Sequence, residues 1–519
     1  MARIFLGLDS STQGLTGLLV DLDARRVVGA ASCGFDATLP AYGTRHGVLR
    51  GADPRRVHAP PLMWAEALER LFEELRGQGA PLGQVLAISG SGQQHGSVYL
   101  NSKAEPALRA LDPGRPLGAQ LARVFSRATS PVWMDSSTGE ECREIEAALG
   151  GPAATAEATG SAAFERFTGP QIRRFAKTEP RAYARTARIA LVSSFMASLL
   201  AGRLAPIDHG DGAGMNLMDI RARRWHPQAL DATAPGLRRK LPALAAPWTV
   251  VSPVTRYWGE RHGLNPAALA CVWSGDNPCS VIGLGLVHPG DVAISLGTSD
   301  TYFGTMAECR TDPAGEGHVF VAPTGAYMSL ICFRNGSLAR ERVRDAYGLD
   351  WEGFSRALAA TPPGNEGKLM LPYFEPEIVP RVPVPGVRRF DLREDDAAGN
   401  CRAVVEAQML SMRRHSAWMG VRPGRIFATG GASRNREVLQ VMADVHECPV
   451  FRFEVTNSAA LGAALRAAHA WHSHVGPPLP WEHVVDGFCD PVPGSEIRPQ
   501  PGSAAAYRPL LARLDELAA

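Results

Sequence analysis

The chain has no C-x-x-C pair, no excess of one charge sign and no apolar run long enough to cross a membrane. Each absence excludes a class of function. Its nine cysteines are scattered between Cys33 and Cys489, which reads as reduced thiols of a cytoplasmic protein rather than a disulfide framework. Lys and Arg number 54 against 52 Asp and Glu, so the formal net charge of +2 marks no nucleic-acid or membrane-surface partner. The most membrane-like stretch, residues 189–202, is short and holds three serines, which predicts a buried helix. No basic segment precedes a long apolar one at the N-terminus, so no signal peptide is expected, and the sequon at Asn335 then has no role. No Walker A loop, His-Glu-x-x-His helix or Gly-x-Ser-x-Gly elbow occurs. Gly90-Ser91-Gly92 opens like a dinucleotide fingerprint, but His95 stands at the third glycine position, which rejects that reading.

What is present suggests a two-part α/β protein. The 519 residues suffice for two or more domains, and 45% apolar with 20% charged residues is ordinary globular composition. Residues 3–21 read as strand, hydroxyl-rich turn and strand, and residues 291–306 repeat that plan about half a chain later. Further strands are expected at 85–89, 270–273, 426–428 and 450–453, with helical spacing at 61–76 and around 438–445. Alternating strands and helices argue for α/β layers. A division near Val254 gives domains at 1–254 and 255–475, followed by a loop-and-helix extension at 476–519. Residues 366–399, rich in proline and charge, are expected to form a surface excursion.

The turn residues carry the first chemical signal. Asp9-Ser10-Ser11-Thr12-Gln13 offers backbone N–H groups, hydroxyls and an amide, a set able to cradle phosphate oxygens. Asp9 when ionised only accepts hydrogen bonds, so its charge suits a Mg²⁺ ion held through water; the plain alternative is an aspartate bonded to its own turn. In the second turn Gly297 lets the backbone approach a ligand closely and Thr298 is the candidate phosphate contact. Asp276, in Ser274-Gly275-Asp276-Asn277-Pro278, sits in a turn that presents a carboxylate at a strand end, with an Asx-turn or helix N-cap as the alternative.

Five segments together resemble the FGGY family of sugar kinases, of the actin-like, hexokinase-like ATPase superfamily. They are Leu6-Gly-Leu-Asp-Ser-Ser-Thr-Gln13, Ser89-Gly-Ser-Gly-Gln-Gln-His-Gly96, Gly275-Asp-Asn-Pro278, Ser295-Leu-Gly-Thr-Ser-Asp300 and Thr429-Gly-Gly-Ala-Ser-Arg-Asn435. The likeness runs over roughly residues 1–471. Residues 131–137 and 165–169 are similar to the animal-type branch that acts on D-xylulose. Gln94 where bacterial members carry Met, and Ser137 where many carry Arg, are departures that fit that branch.

The resemblance implies a two-domain ribonuclease H-like fold with an interdomain cleft, ATP and Mg²⁺ as cofactors, and transfer of phosphate to D-xylulose by a monomer or homodimer. It implies Asp276 as the base that takes the proton of the sugar hydroxyl, a role open to an ordinary carboxylate if the proton moves late. His95, Gln94, Arg166, Asn277 and Asp135 are implied at the sugar, and Thr12, Gln13, Gly297, Thr298, Gly430, Gly431, Ala432, Asn435 and Trp351 at ATP. Blander readings stay open: a core histidine at 95, a surface ion pair for Arg166, a strand-to-helix turn capped by Ser433, and simple packing for Trp351. Sister kinases for ribulose, glycerol, fuculose or gluconate are alternatives, as is an actin-like ATPase with no small-molecule acceptor.

Overall fold

A computed structural model describes residues 2–454 and 456–518. The chain forms two compact units. The first runs to Val287 and also takes in Phe320–Tyr327 and Thr456–Cys489. The second takes in His288–Val319, the stretch from Met328 to the Thr456 crossing, and the chain from Asp490 on. The first unit thus continues past the expected boundary at 254. The strands Leu269–Cys271 and Ser274–Gly275 pair with Val85–Gly92, so the Asp276 turn is built into the first sheet.

That sheet is ordered Val250–Pro253, Leu269–Cys271, Val85–Gly92, Ile4–Ser10, Gly14–Asp21, Arg26–Gly34. Ile4–Ser10 is central and covered on both faces, which is why its apolar residues run on without alternation. The second unit repeats the device. Asp291–Leu296 and Asp300–Met306 form an antiparallel hairpin, and Arg425–Thr429 lies parallel to its first strand. In each sheet the parallel strand ends beside the hairpin turn: Ser10 pairs with Gly92, and Ser295 with Thr429. Motifs far apart in sequence meet for that reason.

The helix Ser458–Val475 packs almost backbone to backbone on the first sheet and on the helix Asp276–Gly283. A Cβ on Gly7 would lie 2.1 Å from the Ala460 carbonyl, and one on Gly462 would lie 1.9 Å from the Cys279 carbonyl. The alanine-rich sequence of this helix keeps its face thin enough for that approach. Residues 189–202 are buried as expected, but open as the strand Arg188–Leu191 before the helix Val192–Ala201. Among the described residues no helix is long and apolar enough to cross a membrane. All nine cysteines are free thiols. Residues 366–399 are more ordered than a surface excursion: Leu369–Tyr373 and Gly386–Phe390 form an antiparallel pair, with Leu369, Met370 and Leu371 in the core. The proline-rich stretch from 476 holds a short helix, Trp481–Val485, before the final helix Ser503–Ala518.

Candidate active site

In the first unit the turn after Ser10 is closed by Ser11, whose N–H and hydroxyl both donate to the Gly14 carbonyl, each at 2.9 Å. Asp9 is therefore not spent on its own turn. Its Oδ1 accepts the Ser91 hydroxyl from the neighbouring parallel strand. Thr12 and Gln13 project from the turn, and the Thr12 hydroxyl accepts the Trp133 indole N–H at 2.8 Å.

Asp276 opens the helix Asp276–Gly283. Its carboxylate accepts the Asn277 N–H at 2.8 Å, the Asn277 amide at 3.1 Å and the backbone N–H of Gln94. Asn277 also donates to Gln94 Oε1 at 2.8 Å, while Gln94 Nε2 is buried without a partner. These bonds fix the carboxylate against the end of the Val85–Gly92 strand. Burial and then the Asp9 charge raise the Asp276 pKa to about 7, and burial raises that of Asp9 to about 6 against the Ser91 bond. A carboxylate that takes a proton near neutrality is suited to general-base work.

His95 holds a left-handed backbone (φ 73°) and bonds through Nδ1 to the Gly214 carbonyl at 2.8 Å. That bond makes Nδ1 the donor and leaves Nε2 an acceptor. The ring stacks on Phe167 at 4.2 Å, and burial, with Arg166 nearby, lowers its pKa to about 3, so it is neutral. Arg166 precedes the helix Thr168–Thr178 and lies over the Phe164 ring at 4.5 Å, so it is not a residue of the helix surface.

Asp135 is the most heavily bonded of the expected sugar residues. It is 1% exposed, and its oxygens accept the Val57 N–H at 3.0 Å, the Ser137 N–H at 3.0 Å, the Ser137 hydroxyl at 2.6 Å and the Gln171 amide at 2.9 Å. These protein donors hold the carboxylate, which anchors the segment carrying Trp133.

Two buried acids went unread in the sequence. Asp211 accepts the Ser193 hydroxyl, and its Oδ1 is buried without a partner. Asp208 caps the same short helix and accepts the Ser274 hydroxyl at 2.8 Å. The acid- and glycine-rich run from Asp208 to Gly214 was the available signal.

In the second unit the Gly297 turn exposes Thr298 and Ser299 while Asp300 is fully buried. Asp300 takes a two-pronged bond from Arg340, at 2.7 and 2.9 Å, and Arg340 donates to Gln408 and Ser337 as well. Gly430 (φ 83°) presses on the hairpin, its missing Cβ 2.5 Å from the Leu296 carbonyl. A pocket of about 670 Å³ brings together Trp351, Gly431, Ala432 and Asn435. Gly431 faces open space, and Trp351 is 42% exposed beneath the Arg344 guanidinium at 4.4 Å. Asn435, not Ser433, caps the following helix: its oxygen accepts the Glu437 and Val438 N–H groups, and its amide donates to Ser355. Ser433 bonds back to the Gly430 carbonyl.

A pocket lined by an exposed tryptophan and a glycine open to approach suits a nucleotide base, and a near-neutral carboxylate with two amide side chains as neighbours suits a polyol. Together they define a group-transfer enzyme. Comparison with known proteins gives the family. Residues 126–283 match the N-terminal domain of the FGGY family of carbohydrate kinases, and residues 292–471 match its C-terminal domain. Xylulose kinase 2 of Arabidopsis thaliana is 44% identical over 90% of this chain and 87% of its own. Xylulose kinase of Rattus norvegicus is 42% identical over 99% of this chain and 96% of its own. A xyloylose kinase structure from Brucella ovis superposes with a TM-score of 0.81 at 24% identity, covering 99% of this chain and 98% of its own. A gluconate kinase structure from Lactobacillus acidophilus gives 0.80 at 18%, covering 100% and 98%. The chain belongs to the FGGY family of carbohydrate kinases.

Proposed function

We propose that the protein transfers the γ-phosphoryl group of ATP to the terminal hydroxyl of D-xylulose, giving D-xylulose 5-phosphate and ADP. The observation that carries the chemistry is Asp276, a carboxylate with a pKa of about 7 fixed by Asn277 and the Gln94 N–H. It takes the proton as the sugar oxygen bonds to the γ-phosphorus and the bond to the ADP oxygen breaks. His95 Nε2, Arg166, the Gln94 amide and Asn277 orient the sugar, and the choice of D-xylulose follows the named relatives. Adenosine rests in the pocket of Trp351, Gly431, Ala432 and Asn435, with Gly430 allowing the backbone to approach it. Gly297, Thr298, Thr12 and Gln13 contact phosphate oxygens.

Mg²⁺ screens the phosphate charge when bound. Among the described residues no three His, Cys, Asp or Glu side chains form a preformed cage. One carboxylate plus waters and substrate phosphates is the usual way this ion is held. Asp9 fits that role: its pKa is raised by burial and its charge raises that of Asp276, a strain that a cation relieves. ³¹P NMR of the products formed from ATP, Mg²⁺ and D-xylulose tests the reading. A phosphomonoester on the terminal carbon with matching ADP is expected; inorganic phosphate alone would overturn it.

A further inference from the structure

Arg466 is the only Lys, Arg, Asp or Glu in the helix Ser458–Val475, and it is 1% exposed. Its guanidinium reaches several segments of the first unit. Nη2 donates to Asp208 Oδ2 at 3.2 Å and to the Pro247 carbonyl at 3.0 Å. Nη1 meets the Cys279 sulfur at 3.3 Å, one turn into the helix that Asp276 opens, and the Gly90 carbonyl at 3.4 Å, in the strand leading to Gln94 and His95. Asp208 carries the contact onward: its Oδ1 accepts the Ser274 hydroxyl at 2.8 Å, two residues before Asp276, and the Asp211 N–H at 2.8 Å.

We propose that Arg466 is a positioning residue for phosphoryl transfer, holding the Asp276 turn in register with the Gln94–His95 turn through Asp208 and Ser274. The inference rests on Asp276 being the base. Desolvating two buried charges offsets most of their attraction, so such a pair adds little net stability, and its contribution here is the geometry it enforces. Gly90, Asp208, Pro247 and Cys279 come from separate stretches of chain, and the packing of Gly462 and Gly283 against neighbouring backbone brings the helix close enough for one guanidinium to reach all four. A base displaced by about 1 Å costs on the order of 100-fold in rate.

The test uses the full chain. Ser274→Ala removes one hydroxyl, and Arg466→Met with Asp208→Asn removes the charge pair while keeping an acceptor for Ser274. Each is made in the parent and in an Asp276→Asn background, and kcat, both KM values and the melting temperature are measured. In the parent, kcat falls about 10-fold or more with the KM for ATP unchanged. In the Asp276→Asn background the same changes cost less than about twofold, because the group they position is already gone. Parental kcat in both variants, or an equal loss in the Asp276→Asn background, overturns the inference. Should the Arg466 variant not fold, Ser274→Ala carries the test alone. A parental rate for Asp276→Asn by itself is a separate failure: it removes the base assignment, and the inference with it.

Discussion

Asp276 combines two properties that pull against each other. Its raised pKa makes it a competent base, and the same burial makes its charge a burden on the fold. An acid whose folded pKa lies above its unfolded value binds its proton more tightly in the fold. The cost of ionising it is absent below the ordinary carboxylate pKa and complete above about 7. Asp276→Asn is therefore expected to lower kcat by about 10²–10⁴-fold. It is also expected to raise the melting temperature at pH 8, with no gain at pH 4; calorimetry at the two pH values checks this, and a loss of stability at pH 8 contradicts it. In the parent enzyme kcat/KM should fall on the acid side of pH 7 as Asp276 takes up its proton, which a pH–rate profile measures. His95→Ala should raise the KM for sugar more than that for ATP, since its ring serves the first unit alone; steady-state kinetics with each substrate varied decides it.

At the scale of elements, the two hairpins and the strands beside them were legible because each motif ends an apolar run with hydroxyl, acidic or glycine residues. Asp276, Gln94 and Asn277 meet, and His95 follows Gln94 in the same turn. The bonds of Asp135 were not legible, because a Trp-x-Asp pattern does not reveal that Val57, Ser137 and Gln171 will donate to its oxygens. The pairing of Arg466 with Asp208 was not legible for a related reason: buried partners far apart in sequence leave no local pattern. A lone charge in an alanine-rich helix was the cue on one side, and the acid- and glycine-rich run from Asp208 the cue on the other. The packing of that helix is directly testable. Gly7→Val meets backbone atoms of Ala460 and Ala464, which cannot yield, so it should cost about 3 kcal/mol or more in denaturant unfolding. Gly34→Ala, with nothing within 4 Å of its Cβ, is the control and should leave stability unchanged.

Across the whole molecule the residues proposed for the two substrates belong to different units. Trp351, Gly431, Ala432 and Asn435 line one pocket of the second unit, whereas Asp276, Gln94 and His95 belong to the first. The boundary expected at 254 missed this division because the segment after it pairs with a strand some 180 residues earlier, at Ala87 and Ile88. Trp351→Ala should raise the KM for ATP about 3- to 10-fold with the KM for sugar unchanged. An equal rise in both would argue against separate sites.

The most direct test of the account is ADP release from Mg-ATP, measured with D-xylulose, ribulose, fuculose, glycerol and gluconate and with no sugar. Release that is strong with D-xylulose and weak with the others and the blank is the predicted result. Equal release in the blank would contradict a sugar kinase altogether, and faster release with another member of the panel would contradict D-xylulose as its substrate.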